Sequence, residues 1–206
     1  MEDQWLRWAK RLEALSTTGQ HFTKDAFDHE RYSEMQGIAR SMLSALGNVP
    51  LSRIDNLVSS SANGYVTPKV DVRGAIIRKG EILLVKEKAD GLWTLPGGFA
   101  DIGLSPSENI LKEIEEEAGI VAEVVGLYSV RHKAKQAYEP DLRDFYKLFF
   151  LCQQVNDDVP AASGETSAAG YFDQDNLPPL SEGRVIKSDI DAAFDYAENQ
   201  LSVLVD

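Results

Sequence analysis

The sequence predicts a mixed α+β or α/β sandwich carrying a small helical region at its N-terminus. Three observations predict it. Apolar residues recur at helical spacing as far as Leu46. From Val70 onward the pattern changes to short strand-like runs separated by turn residues. A helix with stop signals at both ends then lies between two pairs of strands, and an amphipathic helix closes the chain.

The elements follow in order. Trp5, Trp8, Ala9, Leu12 and Leu15 form one apolar stripe, and Tyr32, Met35, Ile38, Ala39, Met42 and Leu46 form a second. Ser16 to Gly19 between them reads as a polar turn, and Gly47–Pro50 and Ser59–Gly64 read as loops. Two short helices cannot bury both faces alone, so they cover a sheet or join a second subunit. Strands are expected at Val70–Ile77 and Ile82–Lys86, joined through Lys79-Gly80, with a further turn at Asp90-Gly91. Strands are also expected from Val121 to Arg131 and from Phe145 to Val155. Ile190, Ala193, Phe194, Ala197 and Leu201 mark the closing helix.

Charge divides the chain in the same place. The net charge is −12, and it is nearly neutral before Val66 and strongly acidic after it. The expected organisation is a helical region over 1–62 and a second domain over 63–206. A composition of 43% hydrophobic and 26% charged residues supports a buried core. No apolar run is long enough to span a membrane. The acidity argues against a stable nucleic-acid complex, which needs a basic surface. One cysteine, Cys152, excludes an internal disulfide and a multi-cysteine zinc site. It lies in the apolar run FYKLFFLCQQV and reads as a small buried hydrophobe. With an acidic N-terminus and no apolar stretch behind it, a cytoplasmic setting is expected.

The chemistry concentrates in LPGGFADIGLSPSENILKEIEEEAGI, Leu95 to Ile120. Ser105, Pro106 and Glu108 make a capping box with proline at the first helical position, and Gly119 is a C-terminal stop. At 100° per residue, Ile110, Leu111, Ile114 and Ala118 share the core face. Glu113, Glu116 and Glu117 crowd an adjacent arc, where like charges repel. A solvated acidic face is the commoner fate of such a run. The preceding Pro96-Gly97-Gly98 favours the other reading. It lets backbone approach a ligand closely and bring a carbonyl beside hard carboxylates that suit Mg²⁺ or Mn²⁺.

This stretch resembles the Nudix box, G-x5-E-x7-R-E-U-x-E-E-x-G-U. Gly98, Glu113, Ile114, Glu116, Glu117, Gly119 and Ile120 match its fixed positions. Two positions depart: Leu104 stands where the first glutamate is expected and Lys112 where the arginine is expected. Asp101 and Glu108 lie near enough to stand in for the missing carboxylate. The N-terminal segment ALSTTGQHFTKDAFDHERYSEMQGIARSML also resembles the helical region attached to some Nudix hydrolases. These are the CDP-choline pyrophosphatase-like enzymes and ADP-ribose pyrophosphatases.

The resemblance implies an α/β/α sandwich with a mixed sheet. It also implies Mg²⁺-dependent hydrolysis of a nucleoside diphosphate linked to a second group, CDP-choline-like or ADP-ribose. Glu113, Glu116 and Glu117 would hold the metal, Mn²⁺ serving as an alternative, with the Gly97 carbonyl as a further ligand. Lys112 would steer one of these acids. Glu165, in a polar loop before Tyr171-Phe172, is the candidate general base. Arg73, the basic cluster Arg131, Lys133 and Lys135, and Gly98 are the candidate substrate contacts. A homodimer is expected from the helical region. A non-catalytic nucleotide sensor, or an enzyme acting on RNA ends or other nucleotides, is the alternative.

Overall fold

The computed structural model describes residues 2–58, 65–199 and 202–206. It divides into two compact units. The first comprises residues 1–69 together with 139–145, and the second comprises 70–138 and 146–206.

The first unit holds α1 (Gln4–Phe22), α2 (Ala26–Gly47) and α3 (Leu51–Val58). The expected turn at Ser16–Gly19 is instead continuous helix. Its hydroxyls are satisfied inside α1: Ser16 Oγ donates to the Leu12 carbonyl at 2.8 Å and Thr17 Oγ1 to Glu13 Oε1 at 3.0 Å. Gly19 marks a close approach of two helices, since a Cβ there would sit 2.5 Å from the Tyr32 ring. The break falls later, where Asp25 caps α2 by accepting from the Phe27 and Asp28 amides. α3 follows Pro50, over residues for which no element was expected. The expected loop and boundary at Ser59–Gly64 lie outside the described residues.

Of the expected apolar stripe of α1, Trp5, Trp8 and Leu15 face outward, Leu12 is half-buried and Ala9 is buried. Trp5, Trp8, Leu15 and Phe22 are exposed, and Trp5 and Trp8 meet edge to face at 5.1 Å. The buried side of α1 is Leu6, Ala9, Glu13, Ser16 and Thr17. Ala9 and Ser16 are small, Glu13 and Thr17 are paired across to α2 through Arg40–Glu13 and Gln36–Thr17, and Leu6 packs in one apolar cluster with Ala9, Leu43 and Ile54. Close packing of the two helices therefore uses mainly small and polar residues and leaves Trp5, Trp8 and Leu15 outside. Lys10 holds the 139–145 segment, bonding the Asp141 and Arg143 carbonyls and the Asp144 carboxylate.

The second unit is a seven-stranded mixed sheet. Its strands are β1 (Lys69–Arg78), β2 (Glu81–Glu87), β3 (Trp93–Thr94), β4 (Ala122–His132), β5 (Phe145–Gln154), β6 (Thr166–Asp173) and β7 (Leu204–Val205). The order is β3-β2-β1-β5-β4-β7, with β6 also paired to β2. β7 runs parallel to β4, while β2 is antiparallel to β1, β3 and β6. Strands β3, β6 and β7 were not expected. β3 and β7 are two residues each, and β6 (TSAAGYFD) opens on small residues that carry no alternating signal.

Alternation along the strands divides the core into two layers. Val72, Ile76, Leu83 and Val85 pack against Ile110, Ile114 and Ala118 of α4 (Pro106–Ala118). Ala75, Ile82 and Leu84 pack against Ile190, Ala193 and Phe194 of α5 (Lys187–Asn199). One helix thus covers each face, giving the expected α/β/α sandwich. Cys152 is buried in the α4 layer, where burial pushes its thiol up to about 12. Among the described residues no helix is long and apolar enough to cross a membrane.

Candidate functional site

The site begins with how α4 is fixed. Ser105 Oγ accepts from the Glu108 amide and Glu108 Oε2 accepts from the Ser105 amide, so the expected capping box is complete. Gly119 ends the helix in the left-handed conformation. Buried Asn109 fastens the preceding loop. Its Oδ1 accepts from the Asp101 amide at 2.7 Å, and its Nδ2 donates to the Ser105 and Leu104 carbonyls at 3.1 and 3.3 Å. The 95–100 turn is laid along β1 by backbone bonds, Gly74 N–H to Pro96 O and Val72 N–H to Gly98 O, each 2.9 Å. Gly97 has φ 141°, and a Cβ there would collide with the Val72 carbonyl. Only glycine serves in this turn.

The turn and the helix meet through the acids. The Gly97 amide donates to Glu117 Oε2 at 2.8 Å. A Cβ on Gly98 would lie 2.9 Å from Glu113 Oε1, so the Glu113 carboxylate sits directly over that glycine. The three box acids differ in surroundings. Glu117 is buried, Glu113 is half-buried, and Glu116 is exposed. Burial, with the Glu113 charge beside it, pushes the Glu117 carboxyl up to about 7. Burial also raises Glu113, and the charges of Glu116 and Glu165 add to this. Glu116 turns to Lys112, whose Nζ lies 2.9 Å from Glu116 Oε2 and 3.3 Å from Asp101 Oδ2. Those bonds raise the Lys112 ammonium.

Glu165 is brought to this cluster by its neighbours. Thr166 Oγ1 donates to the Glu117 carbonyl at 2.8 Å, which docks the start of β6 on the end of α4. The Lys88 amide donates to the Glu165 carbonyl, and Lys88 Nζ donates to the Gly164 carbonyl at 2.7 Å.

Arg73 supplies the counter-charge on β1. Its guanidinium makes a bidentate pair with Asp71 at 3.0 and 2.9 Å and donates to the Leu95 carbonyl at 3.1 Å. From there its charge lowers the pKa of both Glu113 and Glu117. Lys147 Nζ completes a buried trio at 2.7 Å from Asp71 Oδ1. Despite burial, the two cations hold the Asp71 carboxyl down to about 2.

Of the basic cluster expected to meet substrate, Arg131 is part of a different network. Arg131 is buried with its Nε 3.3 Å from Asp189 Oδ1, and its Nη1 donates to Gln136 Oε1. Tyr138 OH donates to Asp189 Oδ2 at 2.7 Å. Lys133 is buried and Lys135 exposed in the short turn that follows β4. The Lys147 charge acts on both Asp71 and Asp189 and so lies between the two networks.

Asp71, Asn109, Lys147 and Asp189 escaped the sequence reading. Two signals were present for the first and third. Asp71 and Arg73 stand two apart on one strand face, and Lys147 interrupts an apolar strand at an inward position.

A family model described as the NUDIX domain matches residues 68–194, well over half of the chain. The chain belongs to the Nudix family. A second model, described as a UDP-X-like N-terminal oligomerisation domain, matches residues 3–58. The chain is 40% identical over 196 residues to "Putative ADP-ribose pyrophosphatase YjhB" of Bacillus subtilis (strain 168), covering 95% of this chain and 93% of that one. A crystal structure of UDP-X diphosphatase superposes with a TM-score of 0.64 at 32% identity over 98% of both chains. An ADP-ribose pyrophosphatase structure from Streptococcus suis 89-1591 has a TM-score of 0.62 at 35% identity, over 68% of this chain and all of that one. As a Nudix hydrolase, the protein is an enzyme whose substrates are small nucleoside diphosphate derivatives.

The donor set fits a hard divalent cation. Two carboxylates whose pKa values are raised by burial and mutual repulsion lie against a glycine turn, and a cation there favours their ionised forms. Among the described residues no three acidic, His or Cys side chains already converge on one point. Glu116, held by Lys112, is the box acid that stands apart.

Proposed function

We propose that this Nudix hydrolase cleaves the P–O–P bridge of a nucleoside diphosphate linked to a second group X. Water enters at one phosphorus, and the products are a nucleoside monophosphate and phosphorylated X. The observation that carries the reading is the seating of Glu117 on the Gly97 amide with Glu113 over Gly98. Glu113, Glu117, Glu116 and the Gly97 carbonyl would hold Mg²⁺, or Mn²⁺ in its place. When bound, the cation supplies charge neutralisation for the diphosphate and acidifies a water. Arg73 holds a fixed positive charge beside these acids. Lys112 orients Glu116, and Glu165 is the candidate to accept the proton of the attacking water. Of the basic cluster, exposed Lys135 is the candidate for contact to the distal part of the substrate, since Arg131 is buried against Asp189.

For X, the relatives' names favour ADP-ribose and UDP-linked groups, and the resemblance of the N-terminal segment keeps a CDP-alcohol in the set. The test is phosphate release, coupled to a phosphatase, from ADP-ribose, UDP-sugars, CDP-choline and nucleoside triphosphates, with and without Mg²⁺. Metal-dependent turnover of one diphosphate class is expected. Silence across the panel would favour a nucleotide sensor. We also propose that the protein is a homodimer joined through the outward stripe Trp5, Trp8, Leu15 and Phe22.

A further inference from the structure

We propose that Asp101 is a positioning residue that acts on Glu116 through Lys112, and that it replaces the carboxylate the Nudix box would carry at Leu104. The inference rests on the functional reading above. Leu104 is apolar and offers no carboxylate, and among the described residues Lys112 pairs with Asp101 and Glu116. Of the two acids near it in sequence, Glu108 is taken up by the capping box with Ser105. Asp101 remains, and its Oδ2 lies 3.3 Å from Lys112 Nζ. Its place is set by backbone and does not depend on its own side chain. Asn109 grips the Asp101 amide at 2.7 Å and the Leu104 and Ser105 carbonyls beyond it. The loop is thereby bent so that residue 101 reaches the lysine.

The consequence is electrostatic. With Asp101 present, one ammonium is shared between two carboxylates, and Glu116 is oriented without being fully neutralised. Without Asp101, the ammonium closes on Glu116 alone and competes with a divalent cation for it. Lysine suits this sharing, being a compact charge with three donors that two acceptors can approach from different sides.

The experiment measures Mn²⁺ binding to the full-length protein by electron paramagnetic resonance of the free ion, alongside thermal melting and hydrolysis. Because all three groups are partly exposed, Asp101→Asn is expected to weaken Mn²⁺ by about threefold to tenfold. The metal-free melting temperature should not change. In a Lys112→Gln background the same substitution should change binding by less than about twofold, since its route of action is gone. Leu104→Glu added to Asp101→Asn should restore binding. Unchanged Mn²⁺ affinity in Asp101→Asn overturns the proposal. So does an equal loss in both backgrounds, which makes Asp101 a through-space charge only, and so does failure of Leu104→Glu to restore binding. A wild-type protein that binds no Mn²⁺ overturns the functional reading as well, so the two failures are distinguishable.

Discussion

Replacing Lys147 by Met tests how the buried trio beneath the acidic turn is balanced. Lys147 is 2% exposed, and burial pushes its ammonium down to about 8, with Arg73 adding to the effect and Asp71 opposing it. The depression from 10.5 shows that the site, with the Asp71 attraction included, disfavours the charged form relative to water. Methionine has a similar length and removes that cost. It also removes the 2.7 Å bond to Asp71, a charge-assisted bond that contributes about 1.5–3 kcal/mol. Both Asp71 oxygens keep Arg73 as a partner. Lys147→Met should therefore be neutral or mildly stabilising at pH 7, since an apolar side chain of matched length carries no desolvation penalty for a buried charge. Asp71→Asn should behave in the opposite way. It strands two buried cations and should cost about 3–5 kcal/mol. The pH dependence has a definite sign. Between about 8 and 10.5 the unfolded state binds more protons at Lys147 than the folded state, so this group makes wild-type stability rise with pH in that window. The Lys147→Met variant lacks that rise. Urea unfolding at pH 7 and pH 9.5 reads all three effects. A large loss of stability in Lys147→Met at pH 7, or a benign Asp71→Asn, would refute the reasoning.

Other expectations follow from the site and the helices. Glu117→Gln should abolish metal-dependent hydrolysis yet raise the melting temperature of chelator-treated protein at pH 8. The folded-state pKa of about 7 lies above the unfolded value, so ionisation destabilises the metal-free fold as pH rises through that window. An unchanged turnover would sink the assignment. Gly97→Ala should lower stability by about 1–3 kcal/mol, from the positive φ and the clash with Val72, and should eliminate activity. Calorimetry and the hydrolysis panel check it. Trp8→Glu with Leu15→Glu should shift the sedimentation coefficient toward a monomer while the second unit keeps its fold. An unaltered coefficient would remove the outward stripe of α1 from the interface.

Local signals made much of the active helix legible. Ser105, Pro106, Glu108 and Gly119 act within a few residues of themselves, and the helix ends where they indicate. The need for glycine at Gly97 was also readable, because a backbone conformation that excludes side chains leaves glycine as its trace. The Ser16–Gly19 turn misled for the converse reason. Hydroxyls and a glycine that usually break helices were there to serve cross-helix packing against Tyr32 and side-chain bonds within α1. The different environments of the three box acids were not legible, since burial separates Glu117 from Glu116 and depends on what β1 and β6 bring alongside.

By itself the sequence determined the order of the principal elements, the two helices that cover the sheet, and the acidic turn–helix segment. Those properties follow from period, caps and short-range sterics, all of which are encoded within a turn or two of chain. Tertiary structure decided which charges face each other. Asp71 meets Lys147 across 76 positions of sequence, Thr166 docks on Glu117 across 49, and Arg131 finds Asp189 and not a solvent-facing role. Side-chain partnerships of that range depend on strand register and burial, and no local pattern carries them.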